Sequence, residues 1–308
     1  MARSRKITSV VLRWCGAAVL ASAALVPSSR LDAQDTVWTA DIAAARRVAS
    51  LLPGRKPLRV NVVKFAESRR TKNFSVQGAP AQPSVQARTA FQVVYADGTV
   101  MVDAGMNQQV HRFFGRGTEE PYDAAAAQTV AAAVDRARLI VFTHEHGDHV
   151  GGVVASPRAA ELAVKTILTR RQADTLTAAP QMPEIRLTAA DARRYIVIDY
   201  HAYYPVAPGL AFIEAAGHTP GSQMILVQLE SGREIVLAGD VTWHMDGVRL
   251  VAGKDAPWVV EDKPAVLGQL RWLKGLLDAE PNLVIVPSHD DELRQDLVSR
   301  GVLGGKFE

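Results

Sequence analysis

Thr143-His144-Glu145-His146-Gly147-Asp148-His149 packs four metal-type donors, His144, His146, Asp148 and His149, into six positions. They directly follow Leu139 to Phe142, an apolar run that reads as a short buried strand. A single histidine is most often solvated or satisfied by a hydrogen bond, and one His-x-His pair is weak evidence. Four donors at this density point to a bound metal.

Three more donors stand in similar places further along. His218 lies in Gly217-His218-Thr219-Pro220-Gly221. Asp240 follows the strand-like run Glu234 to Ala238. His289 follows Leu283 to Val286, in Pro287-Ser288-His289-Asp290. Strand ends and tight turns are where functional side chains gather on a rigid scaffold.

Imidazole and carboxylate together suit borderline divalent ions, zinc above all, with Mn2+, Fe2+ and Co2+ as alternatives. Seven donors exceed what one tetrahedral ion needs; two ions roughly 3.5–4 Å apart would use them all. A natural division assigns His144, His146 and His218 to one ion. Asp148, His149 and His289 then serve the other, with Asp240 bridging. Asp148 and Asp240 are the catalytic carboxylates of this reading. A water shared by the two ions would ionise near neutral pH and act as the nucleophile.

The 308-residue chain is 48% hydrophobic and 22% charged, ordinary globular composition. Its N-terminus has a basic head (Arg3, Arg5, Lys6), an apolar run from Trp14 to Val26 and a small residue at Ala33. This reads as a secretory signal peptide over residues 1–33, ahead of one domain over 34–308, and predicts a periplasmic or secreted protein. Arg13 breaks up the apolar core, which keeps an uncleaved N-terminal anchor as the lesser alternative. Cleavage removes five of the 35 basic and one of the 32 acidic residues, leaving 30 against 31. The basic pI of about 9.0 therefore gives no reason to expect nucleic acid as a partner. A small-molecule substrate is expected, with no stable membrane insertion after cleavage; oligomeric state is open. Cys15, the sole cysteine, leaves with the signal, so the mature chain has no disulfide and no thiolate ligand.

Helical spacing is expected in Gln34 to Pro57, Asp123 to Asp135, Arg170 to Thr177, Pro264 to Asp278 and Asp290 to Val298. Strands are expected over Leu58 to Phe65, Ile167-Leu168, Arg194 to Ile198, Leu210 to Glu214 and Gln223 to Leu229. A hairpin is expected from Ala90 to Val102, turning at Asp97-Gly98. Glu67 to Gln86 reads as a polar loop and Gly105 to Tyr122 as irregular. Strands with interspersed helices predict an α/β or α+β domain of layered sheets.

The motif from Thr143 to His149, with Gly217-His218-Thr219-Pro220-Gly221-Ser222, Gly239-Asp240, Ser288-His289-Asp290 and Val102-Asp103-Ala104-Gly105, resembles the metallo-β-lactamase superfamily. The resemblance spans Leu58 to Val298. It implies a four-layer αββα sandwich with the metals at one edge of the two sheets, and the ligand division given above. Class B β-lactamases use Cys or Ser at the bridging position, so Asp240 points away from them. The Ser288-His289-Asp290 ending looks more like the lactonases and the methyl parathion hydrolase type. Those lactonases carry Tyr three residues after the bridging Asp, where this chain has Trp243. The expected reaction is hydroxide attack on an ester or lactone. Phosphotriester or glyoxalase II-like thioester hydrolysis is the alternative. Mononuclear iron persulfide dioxygenase and β-lactam hydrolysis lie further off. Asp103 is expected to orient a ligand histidine from behind. Trp243, His244 and Tyr203 are candidates to face substrate, and Glu145 is expected to point away from the metals.

Overall fold

The computed structural model of the protein describes residues 38–308, together with Met1. The expected signal segment over 1–33, with Cys15 and Ala33, lies outside the described residues apart from Met1.

The chain opens with helix α1 (Ile42–Ala49) and strand β1 (Arg59–Thr71), then α2 (Lys72–Ser75), β2 (Pro83–Tyr95) and β3 (Gly98–Val102). Helices α3 (Gln108–Gly115) and α4 (Ala124–Arg136) precede β4 (Leu139–Val141) and α5 (Gly147–Val154). Next come α6 (Ala159–Ala163), β5 (Ile167–Thr169), α7 (Arg170–Ala178), α8 (Ala189–Ala192) and β6 (Ile196–Ile198). Four strands follow, β7 (Tyr203–Ala207), β8 (Leu210–Glu214), β9 (Gln223–Gln228) and β10 (Glu234–Gly239). The chain closes with α9 (Met245–Leu250), α10 (Lys263–Ala279), β11 (Leu283–Pro287) and α11 (Asp291–Ser299).

One sheet has the order β1-β2-β3-β4 and the other β11-β10-β9-β8-β7; β5 and β6 form a small parallel pair. Alternation along each strand decides what faces what. On β9, Ile225 and Val227 join Val62, Phe91, Val93 and Val100 in the core between the two sheets. Their neighbours Met224 and Leu226 turn outward onto Leu270 and Leu273 of α10. On the other side, Met101 and Ile140 pack under Val130 and Val134 of α4 and Val150 of α5. Three apolar layers between helix, sheet, sheet and helix make the αββα sandwich. Burying residues such as Phe91 and Leu226 contributes about 1.5–3 kcal/mol each.

Two expectations are corrected. Glu67 to Gln86 is not one loop: β1 runs to Thr71, and β2 starts at Pro83. The polar residues there ride on paired strands, where cross-strand partners satisfy the backbone whatever the side chains are. Gly105 to Tyr122 is not wholly irregular, because Asn107 caps α3 by accepting from the Val110 backbone N–H at 2.9 Å. Among the described residues, no helix is long and apolar enough to cross a membrane.

Candidate metal centre

The strands deliver the predicted donors to one edge of the sandwich. Asp103 ends β3. The segment Thr143 to His149 links β4 to α5, and His218 sits in the turn between β8 and β9. Asp240 and His289 directly follow or nearly follow β10 and β11. Parallel pairing of β10 with β11 brings those last two side by side. Gly239 has φ 54, and a Cβ there would stand 2.8 Å from the Thr143 side chain. Glycine thus lets β10 end tightly against the histidine segment.

The donors form two clusters with a shared carboxylate. His146 Nδ1 lies 3.1 Å from His144 Nε2 and 3.1 Å from His218 Nε2. Zinc–nitrogen bonds of about 2.0–2.1 Å in a tetrahedron put ligand atoms roughly 3.3 Å apart. In the second cluster, Asp148 Oδ2 lies 3.5 Å from both His149 Nε2 and His289 Nε2. Asp240 touches both clusters. Its Oδ2 is 3.6 Å from His218 Nε2, 3.8 Å from His144 Nε2 and 3.1 Å from His289 Nε2, and its Oδ1 is 3.4 Å from His149 Nε2.

Two buried atoms here, His149 Nε2 and Asp240 Oδ1, have no hydrogen-bond partner. A buried donor or acceptor left unpaired is costly, so its presence calls for an explanation. Both atoms point at the second cluster, and a divalent cation would satisfy both. The residues present therefore fit a metal.

The supporting shell fixes the tautomers. His149 Nδ1 donates to Asp103 Oδ2 at 2.8 Å, His218 Nδ1 to Glu261 Oε2 at 3.1 Å, and His289 Nδ1 to the Ala87 carbonyl at 2.6 Å. With the proton on Nδ1, each Nε2 turns a lone pair toward the cluster. Asp103 also accepts from the Thr143 backbone N–H at 2.8 Å.

Electrostatics favour cation binding. Burial, reinforced by His218, pushes the His146 imidazole down to about 3. Burial and then His149 hold His144 well below the usual histidine range. Burial opposes ionisation of Asp148, yet His149, Arg88 and His289 outweigh it and hold the carboxyl down to about 2. Burial also works against a charged His149, but Asp148, Asp103 and Asp240 win and raise it well above its ordinary value. Burial and Lys254 likewise lower His218, and against the cost of burial His289, His149 and His144 hold the Asp240 carboxyl well below its ordinary value. Neutral imidazoles and ionised carboxylates are the protonation states a metal requires; the proton on His149 is the one a bound cation would displace.

Glu145 points away from both clusters. Its carboxylate accepts from Thr219 Oγ1 at 2.8 Å and the Gly221 N–H at 3.1 Å, pinning the turn that carries His218. Trp243 lines the cavity in front of the clusters, and its indole N–H donates to Asp240 Oδ2 at 2.7 Å. Two substrate-facing candidates are corrected. His244 turns the opposite way from Trp243, and its Nδ1 caps α9 by accepting from the Asp246 N–H at 3.0 Å. Tyr203 lies on β7 with its hydroxyl accepting from the Asp41 backbone N–H, holding the chain that leads into α1. His111 is buried near the Glu120 carbonyl, away from the clusters.

Three partners escaped the sequence reading. Arg88, buried on β2, donates to Asp148 Oδ2 at 2.6 Å and stacks over the Phe114 ring at 4.6 Å. Lys254 donates to the Asp240 carbonyl at 2.7 Å and pairs with Glu261 at 2.9 Å. Glu261 in turn holds His218. Replacing Glu261 by Gln should weaken zinc binding at the three-histidine cluster about 10–100-fold. Titration against a zinc indicator checks this, and wild-type affinity in the variant would remove Glu261 from the design.

Comparison with known proteins places these features in context. Residues 86–289 match the sequence model of the metallo-beta-lactamase superfamily. An N-acyl homoserine lactonase from Bacillus sp. is 22% identical over 209 residues, 64% of this chain and 78% of its own. An N-acyl homoserine lactone hydrolase, solved with N-hexanoyl-L-homoserine at its catalytic metal centre, has a TM-score of 0.62 at 17% identity, covering 78% of this chain and 96% of its own. A dizinc quorum-quenching lactonase has a TM-score of 0.52 at 16% identity, covering 78% and 92%. These structural likenesses are likenesses of fold.

Proposed function

This chain belongs to the metallo-beta-lactamase superfamily as a metal-dependent hydrolase, and we propose that it is an exported dinuclear zinc enzyme acting on a small ester or lactone. The observation that carries the reading is Asp240, whose carboxylate lies within reach of both clusters, Oδ2 3.6 Å from His218 Nε2 and 3.1 Å from His289 Nε2, and Oδ1 3.4 Å from His149 Nε2.

Two divalent ions held there would polarise the scissile carbonyl and supply a water acidic enough to ionise near neutral pH. The chain's own groups prepare for this. Trp243 steers the Asp240 carboxylate by its N–H, which is thereby spent and unavailable to a substrate carbonyl. Glu261, Asp103 and the Ala87 carbonyl hold three imidazoles in register. His149 and Arg88 keep Asp148 ionised, and Arg88 holds it in place by donating to Oδ2 at 2.6 Å. His146, the ligand candidate that is not fully buried, faces a cavity of about 300 Å³ shared with Phe114, Trp258 and Val259. That volume suits a small molecule.

Screening lactones, aryl esters, phosphotriesters, thioesters and β-lactams on the zinc- and manganese-loaded protein tests the proposal. Hydrolysis of an ester or lactone, with two bound equivalents and loss of rate on chelation, is the expected result. Less than one bound equivalent, with hydrolysis surviving the chelator, would sink it; oxygen uptake with a persulfide would move the protein to another reaction class. Export is read from residues 1–33, and N-terminal sequencing of the protein recovered outside the cytoplasm checks cleavage near Ala33.

A further inference from the structure

Among the described residues, three arginines, Arg70, Arg88 and Arg116, and two carboxylates, Asp148 and Asp240, line the cavity in front of the clusters. Two of the three are already committed. Arg88 binds Asp148 and Ser68. Arg70 binds Glu120 and the Phe114 carbonyl. Among the described residues, no side-chain hydrogen bond or ion pair engages the Arg116 guanidinium. Its Cζ lies over the Trp258 ring, 4.6 Å from the ring centre. Stacking uses the face of a guanidinium and leaves its in-plane N–H groups directed outward. That is the fork that takes a carboxylate by two parallel hydrogen bonds.

The backbone at Arg116 supports a side-chain reason for this residue. It closes α3 in the left-handed region, with φ 52. Glycine is the usual occupant of such a position, and another residue there is strained. Gly117, the residue best suited to that conformation, stands one position later. The strained position sets Arg116 on the wall of the cavity that Trp258 and Val260 also line.

We propose that the cavity selects a substrate whose non-reacting end carries a carboxylate, bound by Arg116 on its Trp258 platform while the ester carbonyl faces the metal clusters. This rests on the hydrolase reading above and narrows it to acidic esters or lactones. No covalent step involves Arg116, which is a specificity residue.

The test uses a matched pair of substrates, the mono-aryl ester of adipic acid and its neutral primary-amide twin, on the zinc-loaded full chain. The acidic ester should show a KM about tenfold lower, as a charge-assisted hydrogen bond allows, with similar kcat. Arg116→Gln should raise KM for the acidic ester by about the same factor and leave the neutral twin unchanged; Arg116→Lys should recover part of the difference. Equal KM values in the wild type, or equal losses on both esters in Arg116→Gln, overturn the proposal. If neither ester is turned over, the ester reading fails by itself. Calorimetric binding of adipate against its monoamide then decides the Arg116 site. A preference for the diacid that Arg116→Gln abolishes supports it, and no preference overturns it.

Discussion

Asp240→Ala should abolish turnover, lowering the rate about a thousandfold or more, and should reduce bound zinc from two equivalents to one. Loss of an outer partner alone typically costs 10–100-fold in such sites, and Asp240 is in direct reach of both clusters. The three-histidine cluster should keep its ion, because its ligand nitrogens stand 3.1 Å apart without help from Asp240. The second cluster should empty, since Asp148 is already shared with the Arg88 guanidinium and the raised His149 favours a proton over a dication once Asp240 is gone. Elemental analysis and an ester assay, with circular dichroism to verify the fold, measure all three. Two retained equivalents and wild-type turnover would rule out the shared-ligand role.

Asp103→Ala should cause the largest loss of stability among the site variants, about 3–5 kcal/mol. Asp103 is fully buried and accepts from Thr143 N, Thr143 Oγ1 and His149 Nδ1. Truncation strands those donors away from water. The corresponding fall in melting temperature is roughly 10 °C for a domain of this size. Asp103→Asn separates stability from metal binding. The amide oxygen can still accept from the Thr143 N–H, so the fold should lose much less. Its NH2 group, however, would face His149 Nδ1 and turn that nitrogen into an acceptor. The imidazole proton would then move to Nε2, the atom aimed at the second cluster. Metal affinity there should fall about 10–100-fold while most of the melting temperature is retained. If Asn loses as much stability as Ala, the tautomer argument is wrong; if it binds metal like the wild type, Asp103 serves the fold alone.

How far the site was legible depended on sequence distance. His144, His146, Asp148 and His149 share six positions, so their chemistry shows in a single glance. His218, Asp240 and His289 lie far away but in turn and strand-end contexts that carry their own signal. Arg88 has no such signal. It is an inward-facing charge on a long strand, 60 residues from the Asp148 it holds. Lys254 and Glu261 lie in an irregular stretch held by distant partners, with the Gln77 N–H donating to the Gly253 carbonyl, the Asp255 N–H to the Phe74 carbonyl and the Asp262 N–H to the Gly217 carbonyl. Trp243 and His244 are adjacent in sequence yet serve opposite ends of one turn, cavity and helix cap, and local sequence does not say which faces which way. The helix α3 is amphipathic but only eight residues long and set between glycines and polar residues, so the stretch as a whole read as irregular.

The amino-acid sequence by itself determined the chemistry: donors of the right kind, at strand ends, in a chain whose alternating apolar strands and amphipathic helices admit a layered α/β fold. Those properties are local, written in side-chain type and period. The tertiary structure decided what is relational. It put Asp240 between the two clusters, fixed the His149 and His218 tautomers through Asp103 and Glu261, and left Arg116 as the cavity arginine without an acidic partner. Each of these depends on distances between residues tens to hundreds of positions apart, which only the closed sandwich brings within a few ångströms.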